Sequence, residues 1–351
     1  MSETVRIRLI VLFGGQSAEH DVSRVTARHV LAAADLDRYQ LIPVGITREG
    51  QWIQCSTDLS NAGDAMEIVG DTVNPFTVLT ADSVVFPLLH GPMGEDGTLQ
   101  GLLEFAGVPF VGSAVLGSSL SMDKVMSKRL AEVEGFTQAN WRGIHASELE
   151  GPAAEAVLDS LANEIGFPLF VKPANMGSSI GVSKVEARSA LRAAIDTALR
   201  FDEWLVIEEG VVGREIEVAV LGHTTSPRAS VPGEIIPGGD FYDYDDKYSD
   251  GVAQLLIPAP LSDEETTQVR ELACRVFRAH RAEGLSRVDF FYENPGRGWL
   301  LNEINTIPGF TPISMYPQMW QASGLPYRAL IDELVSLAIE RHTTVSRYRG
   351  A

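Results

Sequence analysis

Four side chains near the end of the sequence have types and spacing that suit metal or phosphate chemistry. Arg287 and Asp289 alternate within one apolar run, and Glu303 and Asn305 alternate within a second. The segment 294–298 between them is rich in turn formers, so the two runs are predicted to form a β-hairpin. Because alternate side chains share one face of a strand, the four polar groups would converge on one surface. Oxygen ligands of this kind suit Mg²⁺, and an ordinary hairpin with a solvated polar face is the alternative.

A loop of small residues from Lys172 to Gly181 follows a predicted apolar strand. Small residues let backbone N–H groups approach phosphate oxygens, and the lysine supplies a positive charge. The order differs from that of a P-loop, because the lysine precedes the glycines and no Gly-Lys-Ser/Thr follows. Phosphate binding and a simple turn both fit this loop at this point.

Acidic residues stand at the ends of several predicted strands. Glu208 and Glu215 flank a glycine-containing turn, where a carboxylate could hold ribose hydroxyls or an exocyclic amine. Solvated acids in a turn fit the same pattern. Glu19 follows a strand-to-helix glycine turn that could present it at a helix N-terminus, which favours anions. The absence of a full Gly-x-Gly-x-x-Gly there argues against a dinucleotide site.

A polar and aromatic loop at 241–248 contains one lysine, Lys247. It lies within a long excursion, 232–250, that is rich in Gly, Asp and Tyr. Loops of this kind are often functional lids, and a surface decoration is the alternative.

Three groups of predicted elements position these side chains. From residue 1 to about 120, strands alternate with helices, which predicts a parallel sheet with covering helices. A second group begins near Ser121 and contains a βαβ-like module around the glycine loop. The third contains the excursion, a helix that opens with a capping box at 262–265, the hairpin, and an apolar-faced helix at 327–341.

Composition limits the partners of this chain. The 351 residues carry 28 Lys and Arg against 47 Asp and Glu, a formal net charge of −19, which argues against nucleic acids and anionic membranes. The length predicts two or three domains. Cys55 and Cys274 form no Cys-x-x-Cys motif, which favours a reduced, cytosolic chain. The apolar run at 7–13 is too short for a signal peptide, and no segment approaches the ~20 apolar residues of a membrane span.

These pieces, in this order, resemble the D-alanine–D-alanine ligase family of the ATP-grasp superfamily, from Val11 to about Arg341. The most specific stretches are FGGQSAEH (13–20), HGPMGEDGTLQG (90–101), MDK (122–124), the loop 172–181, YDYDDKY (242–248) and NEINTIPGFT (302–311). The resemblance implies an α/β fold, α+β in the ATP-grasp part. It also implies three domains: a parallel-sheet domain at 1–121, a central ATP-grasp subdomain at 122–213, and a C-terminal one with hairpin and lid at 214–351.

The resemblance further implies a role for each matched residue. Those that look like contacts of ATP are Lys124 and Lys172 on its phosphates, Ser178 and Ser179 in the loop folding over them, Glu208 and Val211 on adenine, and Glu215 on ribose. Those that match Mg²⁺ ligands are Asp289, Glu303 and Asn305, with Glu303 bridging two ions, and Mn²⁺ is an alternative occupant. Those that match substrate contacts are Glu19 on the first D-alanine with His90 nearby, Arg287 and Gly309 at the oxyanion, and Ser314 on the second substrate's carboxylate. Lys247 and Tyr248 look like lid residues, with Tyr248 bonding to Ser178 and Glu19.

The implied reaction joins two D-alanine molecules through an acyl phosphate, with ATP as co-substrate. The carboxylate of the first D-alanine attacks the γ-phosphate, and the amine of the second then attacks the resulting carbonyl. A D-alanine–D-lactate or D-alanine–D-serine ligase on the same scaffold is an alternative, and Tyr248 speaks against the lactate version. A non-catalytic two-lobed amino-acid-binding protein is a third hypothesis, disfavoured by the intact Asp289, Glu303 and Asn305 set. A cytoplasmic location and a homodimer are family expectations.

Overall fold

The computed structural model describes residues 6–59, 63–238 and 254–348, which form three β-sheets with covering helices. The described helices include none long and apolar enough to cross a membrane. Cys55 and Cys274 are both free thiols. The α/β class predicted from the sequence is therefore confirmed.

The first sheet has three adjacent parallel strands at one end of its strand order. Its unit comprises β1 (Ile7–Gly14), α1 (His20–Ala33), β2 (Tyr39–Ile46), β3 (Trp52–Cys55), β4 (Gly70–Thr72), α2 (Pro75–Val78), β5 (Ser83–Pro87), α3 (Thr98–Ala106) and α4 (Val115–Met122). In the order β4-β3-β2-β1-β5, strand β1 is parallel to β2 and β5, as predicted. Strands β3 and β4, each antiparallel to its neighbour, were not predicted, because they are four and three residues long and β4 is wholly exposed.

The second sheet differs from the predicted βαβ-like module. Its unit comprises α5 (Lys124–Val133), β6 (Trp141–His145), α6 (Ala154–Ile165), β7 (Leu169–Pro173), β8 (Ser183–Val185), α7 (Arg188–Ala198) and β9 (Trp204–Glu209). Strand β7 is antiparallel to both β8 and β9, so these two are parallel to each other but separated by β7. The glycine loop is consequently the turn of the β7–β8 hairpin, which sets Lys172 beside the loop that follows it.

The third sheet is antiparallel and contains the predicted hairpin. Its unit comprises β10 (Arg214–Gly222), β11 (Arg228–Ala229), β12 (Gly233–Ile236), β13 (Gln254–Leu256), α8 (Asp263–Ala279), β14 (Gly284–Glu293), β15 (Gly298–Asn305), α9 (Met315–Ala322) and α10 (Tyr327–Tyr348). Strands β14 and β15 pair as expected, with Arg287 opposite Asn305 and Asp289 opposite Glu303. The predicted capping box also forms, since Ser262 N donates to Glu265 Oε2 at 2.8 Å and Glu265 N to Ser262 Oγ at 3.2 Å.

Part of the predicted lid at 232–250 is a β-strand. Gly233–Ile236 is strand β12, held between β10 and β13, because two consecutive isoleucines extend the sheet. The rest of the predicted lid from residue 239 onward, with Lys247 and Tyr248, lies outside the described residues.

One hydrophobic core joins the first and third units. Phe13 of β1, Leu221 of β10, Phe310 and Leu334 of α10 belong to the same buried cluster. The loop that follows β15 also contacts the first unit directly, because His90 Nδ1 lies 3.0 Å from Ile307 O. Residues 217 positions apart in sequence therefore meet at one place, where the candidate site lies.

Candidate active site

Arg287 lies at the centre of an acid-rich cluster on the hairpin. Its Nε and Nη2 donate to Asp289 Oδ1 and Oδ2, both at 2.7 Å, in a two-pronged contact. Glu217 Oε2 of β10 approaches the same Nε at 3.1 Å. That second contact is ionic and not a hydrogen bond, because the single Nε hydrogen already points to Asp289. Burial lowers the pKa of Arg287, but the Asp289 and Glu217 carboxylates outweigh burial and raise the pKa well above its ordinary value.

The remaining two members of this cluster suit a hard cation. Glu303 stands directly opposite Asp289, and Asn305 Nδ2 donates to Asp289 Oδ2 at 2.9 Å. Turning the Asn305 amide over would present an oxygen to the same point. Two carboxylates and one amide oxygen fit Mg²⁺, which keeps waters and substrate phosphates in its shell. Within the described part of the chain no three His, Cys, Asp or Glu side chains form a metal centre, so a cation here would also need ligands from a substrate.

Glu208 lies between two lysines on the other side of the site. Its Oε2 accepts from Lys172 Nζ at 2.5 Å, and its Oε1 accepts a very short bond from Lys128 Nζ. The carboxylate is 2% exposed. Burial raises its pKa, and the charges of Lys128 and Lys172 outweigh that effect and lower the pKa to about 2. Burial lowers the pKa of Lys172, while Glu208 raises it, and the net direction is upward. Lys172 is therefore charged beside a charged carboxylate.

The glycine loop is fixed from two sides. Lys124 Nζ donates to Met176 O at 2.6 Å, and Ser178 Oγ donates to Glu19 Oε1. Ser178 and Ser179 have φ values of 48° and 58°, so two successive residues adopt the left-handed region that non-glycine residues rarely occupy. A Cβ at Gly177 would lie 2.9 Å from Glu19 Oε2, so a larger residue there would have to displace the Glu19 carboxylate. The loop and the first unit therefore meet at Glu19.

His90 is buried beside Glu19. Its Nδ1 lies 3.0 Å from Ile307 O and 3.6 Å from Glu95 Oε1, while Nε2 has no hydrogen-bond partner among the described residues. Burial lowers the pKa of His90, but Glu95 and then Glu19 outweigh it and raise the pKa. Burial raises the pKa of Glu95, with His90 acting in the opposite direction. An imidazole that readily takes a proton next to two carboxylates can bind or orient a zwitterionic substrate.

The other predicted site residues surround these clusters. Ser314 Oγ accepts from Thr311 N at 3.1 Å and lies close to Gly309, at the start of α9. Val211 is half-buried in the connection between β9 and β10. Glu215 is half-buried in β10, opposite Ile235 and Phe291. The structure thus brings together Glu19, His90 and the glycine loop, and separately the hairpin cluster and the lysine pair.

Three charged residues of the site were missed from the sequence. Lys128 follows Lys124 by four positions on α5, so both lie on one helix face, and that spacing could have revealed it. Glu217 follows Glu215 by two positions on β10 and shares its face. Glu95 lies in an irregular segment before α3, within the HGPMGEDGTLQG stretch (90–101), and that motif could have drawn attention to it.

Comparisons with known proteins cover almost the whole chain. The family model described as the D-ala D-ala ligase N-terminus matches residues 8–113, and the model for the D-ala D-ala ligase C-terminus matches residues 130–336. Similar curated proteins include a D-alanine–D-alanine ligase of Paenarthrobacter aurescens. It is 48% identical over an alignment of 369 positions, which covers 97% of this chain and 97% of the relative. Another, from Bacillus licheniformis, is 45% identical over an alignment of 355 positions, which covers 96% of this chain and 97% of the relative.

Two solved structures resemble the fold. The D-alanine-D-alanine ligase of Coxiella burnetii has a TM-score of 0.81 and 33% identity, covering 98% of this chain and 97% of that one. The VanG D-Ala:D-Ser ligase of Enterococcus faecalis has a TM-score of 0.80 and 32% identity, covering 95% of this chain and 100% of that one. The family resemblance found in the sequence is confirmed.

Proposed function

Since this chain belongs to the D-alanine–D-alanine ligase family, we propose that it joins two D-alanine molecules at the expense of ATP, at the junction of the clusters described above. The observation that carries the proposal is the Ser178–Glu19 hydrogen bond. It ties a phosphate-type loop of the second unit to an acid of the first, so a nucleotide and an amino acid would meet there. In such a site the γ-phosphate lies next to the carboxylate that attacks it.

The nucleotide would lie along the second unit. Lys172 and Lys124 supply charge to its phosphates, and Ser178 and Ser179 fold over them. Glu208 and Val211 lie toward the adenine and Glu215 toward the ribose. Phosphoryl transfer needs positioning and neutralisation of charge more than covalent help, which suits lysines on fixed elements. This nucleotide assignment follows the family resemblance and is supported by the lysines and loop meeting on one side of the site.

Asp289, Glu303 and Asn305 would hold Mg²⁺, with Glu303 between two ions, and Mn²⁺ as an alternative. When bound, the metal neutralises phosphate charge in the transition state. The hairpin residues supply oxygen donors, and Arg287 remains available to stabilise negative charge. Support comes from the three carboxylates gathered around a single guanidinium.

The first D-alanine would place its ammonium at Glu19, with His90 nearby. Its carboxylate attacks the γ-phosphate, the bond to the β–γ bridging oxygen breaks, and ADP leaves as the carboxylate becomes an acyl phosphate. The amine of the second D-alanine, held through its carboxylate by Ser314, attacks that carbonyl. The oxygen of the tetrahedral intermediate is then stabilised by Arg287 and the Gly309 amide, and phosphate leaves. Lys247 and Tyr248 belong to the loop that would exclude water from the acyl phosphate.

The dipeptide product is favoured over the ester and over D-alanyl-D-serine. The relatives of 43–48% identity that span the chain are named D-alanine–D-alanine ligases, and the D-Ala:D-Ser ligase is 32% identical. Domain limits at 121/122 and 213/214, a cytoplasmic location, a homodimer and a role in building peptidoglycan precursors are part of the same proposal.

The decisive experiment measures ADP release with Mg-ATP and D-alanine, and repeats it with D-lactate or D-serine added. We expect ADP release with D-alanine alone and D-alanyl-D-alanine as the main product in each mixture. A preference for D-lactate or D-serine would replace the proposed activity with that of the corresponding ligase. No D-alanine-dependent ADP release would reject the proposal altogether.

A further inference from the structure

Glu208 is held by two lysines although one would neutralise it. Lys128 comes from α5 and its side chain is 5% exposed, whereas Lys172 comes from β7 and is 17% exposed. Each lysine takes a different carboxylate oxygen. The three side chains together carry one excess positive charge in a buried place, beside a glycine loop.

The two lysines differ in how freely they can move away. Helix α5 is fixed at Lys128, whose carbonyl accepts from Gln138 Nε2 at 3.0 Å, and at Ser127, whose Oγ lies 2.9 Å from His280 Nε2. Lys172 lies nearer to solvent at the start of the glycine loop, and it also experiences the charges of Glu303 and Glu215. Lys172 can therefore turn toward a ligand, while Lys128 stays on the carboxylate.

Lys172 can leave Glu208 only if another cation stays paired with that carboxylate. A buried carboxylate stripped of its partner is strongly unfavourable. With Lys128 in place, Glu208 and Lys128 form a neutral pair when Lys172 leaves. Without Lys128, Glu208 would compete with any phosphate for Lys172.

We propose that Lys128 is a positioning residue for nucleotide binding: it remains paired with Glu208 and thereby releases Lys172 to the phosphates of ATP. The inference deepens the proposed function and rests on it. Lys128 itself touches no phosphate in this scheme and acts only through Glu208 and Lys172.

The test compares the affinities of ATP and adenosine, because only ATP offers phosphates to Lys172. Titration calorimetry with Mg²⁺ present gives the ratio of the two affinities for wild type, Lys128→Met, Lys128→Met/Glu208→Gln and Arg129→Met. Arg129 is an exposed cation next to Lys128 on the same helix and serves as the matched control. Circular dichroism and thermal unfolding report folding of each variant.

Lys128→Met should lower the ATP-to-adenosine ratio by about 10- to 100-fold, the range expected when one charged hydrogen bond to phosphate is lost. In turnover assays it should raise KM for ATP while KM for D-alanine stays unchanged. Arg129→Met should leave the ratio unchanged. The double variant should recover the wild-type ratio to within about threefold, because without the carboxylate Lys172 is free again.

A ratio in Lys128→Met within about twofold of wild type would overturn the inference. A double variant as weak as Lys128→Met would also overturn it, because Lys128 would then contact phosphate directly or serve the fold alone. If Lys128→Met does not fold, the double variant is tested alone, because it lacks the unpaired buried carboxylate. An ATP-to-adenosine ratio within about threefold of wild type then supports the inference, and a weaker ratio overturns it. If wild type binds ATP but makes no dipeptide, the proposed function fails while the calorimetric ratios still decide this inference.

Discussion

Two charged clusters of the candidate site have imbalances of opposite sign, and they lie close enough for Glu303 of one to act electrostatically on Lys172 of the other. In the acid-rich cluster of the hairpin, the single cation Arg287 is surrounded by Asp289, Glu217 and Glu303. In the lysine pair, the single anion Glu208 lies between Lys128 and Lys172. The chain as a whole is strongly acidic, so the lysine pair is a local exception.

The contrast indicates what each cluster can bind. A surplus of carboxylates attracts a cation, and a surplus of ammonium groups attracts phosphate. Neither charge imbalance is favourable in the free protein unless ion pairs within the cluster reduce it. Both clusters contain such a pair, Arg287 with Asp289 and Lys128 with Glu208. Internal pairing in the free protein therefore preserves the charges that a metal-bound nucleotide would use.

The largest expected effect comes from removing one negative charge from the acid-rich cluster. Glu303→Gln should lower kcat by roughly 10³-fold or more, because metal charge stabilisation of the transition state contributes several kcal/mol. Glu293→Gln, on the same hairpin but paired with Arg297 at its far end, is the control and should retain activity. Steady-state rates with circular dichroism check both variants. A folded Glu303→Gln enzyme with more than about a tenth of wild-type activity would contradict the metal assignment.

Removing Arg287, the cation of the acid-rich cluster, should destabilise the protein itself. Arg287→Met leaves buried carboxylates without their partner, and we expect a loss of about 3–5 kcal/mol in the free energy of unfolding. Arg297→Met on the same hairpin removes an arginine that is 38% exposed and should cost only about 0–1 kcal/mol. Urea unfolding without metal measures both, and equal losses would show that burial of the cluster does not matter.

The lysine pair should make stability depend on pH in the acid range. The pKa of Glu208 is about 2 in the folded protein, below its ordinary value of 4.5. Its stabilising contribution is thus complete above about pH 4.5 and is lost as pH falls toward the folded value. The difference in unfolding free energy between wild type and Glu208→Gln should shrink by about 2 kcal/mol between pH 7 and pH 3. A difference that stays constant or grows on acidification would reject a charged Glu208 between the lysines.

Local sequence patterns predicted the elements that carry the acid-rich cluster. The hairpin followed from alternation and turn residues, and the capping box from Ser262 and Glu265, because these depend on neighbours within a few positions. Short strands such as β4 and the helix α9 carried too few periodic residues to be recognised. The antiparallel course of β7 between β8 and β9 depends on sheet pairing that alternation alone does not specify.

The contacts of the lysine pair, and the contact of Ser178 with Glu19, could not be predicted from local patterns. Lys128 and Glu208 are 80 positions apart, and Ser178 and Glu19 are 159 apart. Their proximity is a product of tertiary packing, so composition gave no indication of the Lys128 contact. The family resemblance supplied Glu19 and Ser178 through their motifs, but it supplied neither Lys128 nor Glu217.

The smallest expected effect concerns Tyr248 and the choice of the second substrate. Tyr248 is assigned by its motif, and we expect its phenol to hydrogen-bond with the Ser178–Glu19 pair when substrates are bound. In the proposed reaction the second substrate's amine would enter there and would lose a proton before it attacks, whereas the hydroxyl of D-lactate carries no such charge. A tyrosine that keeps Glu19 paired leaves room for an amine nucleophile.

Tyr248→Phe removes one hydrogen bond, which contributes about 0.5–1.5 kcal/mol if uncharged, so dipeptide synthesis should fall roughly 2- to 10-fold. Ester formation with D-lactate should rise relative to it, most clearly at acidic pH, where more of the amine is protonated. The measurement is a competition between D-alanine and D-lactate, with products separated across a range of about pH 6 to 9. Phe241→Leu, in the same loop but outside the YDYDDKY motif, is the matched control and should leave the product ratio unchanged. If the ratio in Tyr248→Phe equals that of wild type at every pH, then Tyr248 does not select the nucleophile, and the choice of second substrate must depend on the groups around Ser314 instead.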